Sequence, residues 1–395
     1  MKKLFYFSLF LFLLTCSMHS GFSSDKLQNA LWVTCEGSKG TLDDTAKIDD
    51  LISFAMKNKI DTLFIQVYRG NRTWYVTDMA DDGPAQKFLK ANGFEMLPYL
   101  LKKAHKNQIA VHAWFNILRI TKNKQAYVLK KYGEKIVTRD SQLRSLLEYP
   151  DFDLPEGDKK YYEMGDPGIW LDAGNTDVKT YICDLIRDFL FRYSEIDGIH
   201  LDFIRLPVII PFSPGSRFKG LSFGYGYESM KKFREEYGFD PLEKDITRIQ
   251  SLQWDNFRRE QITDIVRKIK KICCTDCGKK LSAAVRPWID RAYLTDCQDW
   301  PRWLEEGLLD FAVVMNYTDD FQLFKYLALC SYSLKSISSP RSRILTGIGV
   351  YLLNDDAETL EKEIRFLKKI KADGISVFSY DSIEDPETVY SIINE

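Results

Sequence analysis

Short β-rich runs alternate with amphipathic helical stretches eight times along this chain, and that alternation constrains the fold more than any other feature. The strand patterns are Ala30–Cys35 (ALWVTC), Thr62–Val67 (TLFIQV), Ile109–Phe115 (IAVHAWF) and Gly198–Ile204 (GIHLDFI). Leu281–Val285, Phe311–Tyr317, Ile344–Val350 and Gly374–Tyr380 complete the set. Helical periodicity fills the intervals, for example over Asp43–Lys57, Thr176–Tyr193, Trp254–Ile272 and Ala357–Ile370. Eight strand-then-helix units predict an α/β fold, the closed (β/α)8 TIM barrel. A doubly wound sheet would more often open with a glycine-rich phosphate loop, which this sequence lacks. No low-complexity linker divides the chain, so residues 25–395 are expected to form a single barrel domain. Two connections are long, Ile117 to about Asn175 after the third strand and Leu206 to about Gly226 after the fourth. Long loops in a compact domain are usually functional, and on a barrel these would wall the face where active sites sit.

Residues 1–24 have the order of a secretory signal: two lysines, an apolar run from Leu4 to Leu14, then small and polar residues. The run is too short to span a bilayer as a helix, and no later segment is apolar enough. An exported chain starting near Asp25 is expected; the alternative is a lipid anchor at Cys16, since LLTC resembles a lipobox. With 55 basic and 56 acidic residues, nothing points to nucleic acid or an anionic membrane surface. Aromatics make up 14% of residues, which suits flat, neutral ligands such as sugars, although a large core accounts for most of them. Cys273, Cys274 and Cys277 look like half of a zinc knuckle without its second pair. In an exported protein a disulfide among these and Cys297 is the expectation.

Polar residues fall in phase near the strand C-termini. They are Thr34 and Glu36; Gln66 and Arg69; His112, Trp114 and Asn116; His200, Asp202 and Arg205. Later strands add Arg286, Trp288 and Asp290; Asn316 and Tyr317 ahead of Asp319 and Asp320; Tyr351; then Tyr380 and Asp381. In DGIHLDFIRLP, period two puts Ile199, Leu201 and Phe203 on one face and His200 and Asp202 on the other. An inward Asp and His cost desolvation unless something pairs with them or uses them. Each residue alone has a bland reading: His112 and Trp114 as core, Arg205 as a buried partner for Asp202, the loop aspartates as turns or caps.

The segments LWVT, TLFIQVYRG, AHKNQIAVHAWFN, WLDAGNTDV, DGIHLDFIRLP, WPRWLEEGLLDFAVVMNY, TGIGVY and ADGISVFSYDS occur in this order from about Leu31 to Ser382. In them the chain resembles the bacterial glycosyl-hydrolase-like 10 group of glycosidase barrels. The resemblance implies a barrel acting on a cell-envelope or environmental polysaccharide, and some relatives are associated with peptidoglycan glycan strands. Two departures stand out. Relatives often carry two adjacent acids where this chain has Asp202 followed by Phe203. Against the DGxDxDxE strand of family 18 chitinases, His200 replaces the first inner Asp and Ile204 the acid Glu, which excludes that mechanism.

Glycoside hydrolysis usually needs two carboxyls flanking the scissile bond. Asp202 is the first candidate, and Asp290 is preferred as its partner over Asp320, Glu36 and Asp381. Gln66, Arg69, His112, Asn116 and Asn316 are expected to hold sugar hydroxyls, and Trp114, Trp288 and Tyr317 to stack on sugar faces. His200, Arg205 and Tyr380 complete the expected binding surface. Nothing in the sequence requires a metal or cofactor, and the expected partner is a polysaccharide. The rival readings are a glycan-binding barrel without turnover and, more weakly, a polysaccharide lyase.

Overall fold

The computed structural model describes residues 28–211, 220–340 and 342–394. The leader and Cys16 lie outside the described residues. Eight parallel strands form the barrel: β1 (Gln28–Val33), β2 (Thr62–Arg69), β3 (Ala110–Asn116) and β4 (Gly198–Asp202), then β5 (Lys280–Val285), β6 (Phe311–Met315), β7 (Arg343–Gly349) and β8 (Gly374–Phe378). Each strand pairs with the next, and β1 pairs with both β2 and β8, so the sheet has no free edge. Strand ends lie within two residues of the sequence patterns. Among the described residues, no helix is long and apolar enough to cross a membrane.

The two faces of each strand do different work. Ile199 and Leu201 of β4 join the large core between sheet and helices, with Leu63, Ile65, Val111 and Ala113 of the neighbouring strands. The opposite residues fill the lumen, where Trp32, Phe64, Trp114, Phe311 and Leu345 form a second cluster. His200 lies among these rings, 4.3 Å from the Phe64 centroid and 4.6 Å from that of Trp32. Gly198 makes room for His112, since a β-carbon there would lie 2.4 Å from the ring. The barrel is therefore solid below its upper rim, as the inward layers of such barrels are.

Helix Thr176–Arg192 shows how the outer layer is built. Asn175 caps it by accepting from the Val178 N–H at 3.2 Å, and removing such a cap costs about 1 kcal/mol. Val178, Tyr181, Ile182, Leu185, Ile186 and Phe189 recur at helical spacing and bury one stripe against the sheet.

The two long loops meet. Tyr162–Met164 from the first runs antiparallel to Ile209–Pro211 from the second. A bridge between Asp140 and Phe223 adds a second tie. Together they form one wall over the C-terminal ends of β3 and β4.

The cysteines correct an expectation: all seven described ones are free. Cys273 and Cys297 are fully buried and pack as small apolar side chains, the first on the helical turn Lys271–Asp276 and the second in the loop before Trp300–Glu305, while the Cys274 thiol donates to the Lys279 carbonyl at 2.9 Å. Among the described residues, no group of three or more His, Cys, Asp or Glu side chains converges as metal ligands would.

Candidate active site

At the end of β4 the backbone turns sharply. Phe203 has φ of 50°, a left-handed conformation rare for a bulky residue, and it swings the chain away from the sheet. Ladder hydrogen bonds continue across this turn, from Ile117 N to the Asp202 carbonyl at 2.8 Å and from Leu118 N to the Phe203 carbonyl at 3.3 Å. The Asp202 carboxyl is thereby fixed at the top of the lumen. Its Oδ1 accepts from Phe203 N at 2.7 Å, and its Oδ2 accepts from Trp114 Nε1 at 3.1 Å. Only 6% of the residue is exposed. Burial pushes its pKa up to about 6, against the opposing pull of Arg205 and of the two hydrogen bonds.

A second carboxyl, Asp166, acts on it through its charge, which adds to the rise of the Asp202 pKa. Asp166 follows the Tyr162–Met164 strand, and the Arg205 guanidinium donates to its Oδ2 at 2.8 Å. Burial would raise Asp166, but Arg205, Arg119 and Arg286 outweigh it, and its carboxyl lies below the ordinary value. Arg205 is itself almost wholly buried, with its guanidinium 5.3 Å from the Trp170 ring and 5.0 Å from the Phe203 ring. Two electrostatically linked carboxyls are thus driven in opposite directions, one toward the acid form and one toward the carboxylate. That separation is how a pair of like groups divides acid and base roles.

The sequence-predicted residues fall into three sets. Trp114 touches Asp202 directly, as its hydrogen-bond donor rather than as a sugar platform. Gln66 and Asn116 hydrogen-bond each other at 3.2 Å, and Asn116 is the register partner of Asp202. The Tyr317 hydroxyl has no partner and feels the Asp202 charge, and the ring stacks on Phe378 at 5.4 Å. These contacts group the four residues around Asp202.

A second set lies elsewhere in the barrel. His112 and His200 are within the lumen core, 2% and 0% exposed, and burial holds both below the ordinary histidine pKa, His112 at about 4. His200 Nδ1 lies 2.8 Å from Ser282 Oγ. Asn316 is buried and donates to the Phe324 carbonyl at 3.1 Å. Tyr380 packs on Phe54, with Lys39 over its ring.

The third set stands at the rim. Trp288 is 43% exposed, 6.1 Å from Tyr326, and Arg69 pairs with Glu36 at 3.3 Å. Asp290 is exposed on the first turn of Ile289–Leu294, while the acid whose charge raises the Asp202 pKa is Asp166. The other candidate acids have structural work. Asp320 caps the helix Phe321–Ser333, and Asp381 accepts from Thr34 Oγ1 and Lys39 N.

Sequence reasoning passed over Asp166, Arg119 and the strained Phe203. The one local signal for Asp166 is a Gly-Asp-Pro-Gly turn inside a long loop. The neighbouring WLDAGNTDV motif proves architectural. Asp172 accepts from Ser229 Oγ at 2.6 Å, and Gly226 leaves the space its carboxyl fills.

The glycosyl hydrolase-like 10 family profile matches residues 28–363. The chain belongs to this family. It is a glycoside hydrolase, built on the eight-stranded barrel common among glycosidases. It is 22% identical to glycosyl hydrolase DigH of Escherichia coli strain K12 over 387 residues, covering 90% of this chain and 80% of DigH. It is 21% identical to glycosyl hydrolase YngK of Bacillus subtilis, covering 80% of this chain and 55% of YngK. Among solved structures, the catalytic domain of the Paenibacillus polymyxa β-amylase superposes with a TM-score of 0.58 at 10% identity, over 92% of this chain and 95% of that domain. The endo-1,4-β-mannanase of Rhizomucor miehei gives 0.55 at 9% identity, over 93% of each chain. Those two likenesses concern the fold alone.

Proposed function

We propose that this glycosidase is exported and hydrolyses polysaccharide strands of the bacterial envelope, with Asp202 as proton donor and Asp166 as the ionised partner. One observation carries the assignment of roles: the Asp202 carboxyl at the end of β4 is raised to about 6 by burial, and the Asp166 carboxyl of the loop wall, whose charge reaches Asp202, is held low by Arg205. Protonated Asp202 gives its proton to the glycosidic oxygen as the bond to the anomeric carbon breaks. The carboxylate left behind is stabilised by Arg205, by Trp114 Nε1 and by Phe203 N. Asp166 supplies the second role, either attacking the anomeric carbon or taking a proton from the attacking water. Tyr317, Tyr351 and Trp288 offer aromatic faces at the rim, suited to sugar rings.

Export rests on the order of residues in the leader. Peptide-free peptidoglycan strands are the substrate class favoured by the sequence resemblance. Incubating the mature protein with such strands and counting new reducing ends tests the reading. Turnover is expected. Strands that bind without being cut would mean a glycan-binding barrel instead, and an intact Met1 terminus on protein from the envelope would contradict export.

A further inference from the structure

The arginines at the mouth of the barrel are not equivalent. Arg205 pairs with Asp166 at 2.8 Å, Arg69 with Glu36 at 3.3 Å and Arg286 with Asp296 at 3.5 Å. Arg119, three residues beyond β3, has no acid within ion-pair distance among the described residues. Its Nη2 donates to the Pro167 carbonyl at 2.7 Å, and its Nε is buried without an acceptor. The guanidinium lies 5.1 Å from the ring of Phe203, the residue next to Asp202, on whose ring Arg205 also rests. A buried guanidinium nitrogen without an acceptor costs free energy, and a carboxylate is the planar acceptor that fits its fork. Burial and the like charges of Arg69 and Arg205 lower the Arg119 pKa against the opposing pull of Asp166 and Asp202, neither of which is within ion-pair distance of it.

We propose that Arg119 is the anchor for a carboxylate carried by the sugar bound beside Asp202, so that the enzyme selects glycans with acidic rings over neutral ones. This rests on the glycan-hydrolase reading above and adds the charge of the substrate and the residue that reads it. In this role Arg119 determines specificity; it takes no part in proton transfer. The guanidinium meets the substrate carboxylate in a partly desolvated setting, where a charge-assisted bidentate contact is stronger than a neutral hydrogen bond.

The test is a two-by-two comparison. Wild-type protein and Arg119→Gln are each given peptide-free peptidoglycan strands with free carboxylates, and the same strands with those carboxylates converted to methylamides. Both kcat/KM and equilibrium binding are measured. Amidation should lower wild-type kcat/KM by on the order of 10- to 100-fold, the size of one good charged contact. Arg119→Gln should lower it by a similar factor on the free strands and add little on the amidated ones, because both changes remove the same contact. Arg119→Lys, which keeps the charge and loses the fork, should fall between. Equal handling of free and amidated strands by wild type overturns the proposal without any mutant, so a variant that does not fold leaves the decision intact. Fully additive effects of mutation and amidation overturn it too, as does preference for a neutral chitin oligosaccharide. Strands that bind in a charge-dependent manner but are not cut would defeat the hydrolase reading and leave the carboxylate anchor standing. Failure to bind any glycan defeats both.

Discussion

Replacing Asp202 with Asn separates the stability of this carboxyl from its chemistry. A carboxyl whose pKa is raised on folding contributes stability while both states are protonated, and loses it as pH rises through the folded value. For Asp202 that window runs from the ordinary value of 3.8 to about 6. At 1.36 kcal/mol per unit, the roughly two units amount to ~3 kcal/mol of pH-dependent destabilisation above pH 6. Asparagine does not titrate, so Asp202→Asn removes this dependence. Its amide presents one oxygen where the carboxyl had two, and either Phe203 N or Trp114 Nε1 then faces an NH2 group, a pH-independent cost of about 1–3 kcal/mol. The variant should therefore be less stable than wild type at pH 4 and equal or more stable at pH 8. Urea unfolding at several pH values measures it, each change read as a shift of midpoint with the slope unchanged. Parallel stability profiles for the two proteins would show that burial does not hold Asp202 in its acid form, and the proton-donor assignment would lose its physical basis.

Trp114→Phe removes the donor that favours ionised Asp202, so the alkaline limb of the kcat/KM profile should move to higher pH; an unchanged limb would mean Asp202 does not set it. Arg205→Gln strands Asp166 in a largely buried position, and should cost about 3 kcal/mol in unfolding experiments and shift the acidic limb upward. A stability within 0.5 kcal/mol of wild type, roughly a surface substitution, would contradict the pairing. Thiol titration of denatured, unreduced mature protein should find Cys35, Cys183, Cys273, Cys274, Cys277, Cys297 and Cys330 all reactive. Any pair missing from that titration would contradict the free thiols.

The barrel was legible because its signals are local. Each strand announces itself by a short apolar run, and period two in GIHLDFI sends Ile199 and Leu201 to the helices and His200 and Asp202 to the lumen. Depth was not legible. His200 and Asp202 share a face, yet one lies between aromatic rings and the other at the rim, because the lumen is filled to the height of Trp32 and Phe64. The same limit placed Trp114 on sugar when it donates to Asp202. Asp166 was out of reach for a different reason. It approaches Arg205 after two loops, far apart in sequence, pair through Tyr162–Met164 and Ile209–Pro211, and no periodicity reports such a pairing. The disulfide expectation followed the compartment implied by the leader, whereas packing buries Cys273 and Cys297 as separate free thiols.

Single-site kinetics test most directly whether Asp202 and Asp166 together perform glycoside hydrolysis. Wild type, Asp202→Asn and Asp166→Asn are compared for release of reducing ends from peptide-free peptidoglycan strands, each protein first shown to be folded by its melting temperature. Loss of the proton donor should cost on the order of 10²–10⁴ in kcat, and loss of Asp166 at least as much if it is the nucleophile, with strand binding retained in both. Folded Asp202→Asn or Asp166→Asn protein that cleaves the strands at the wild-type rate would contradict the account.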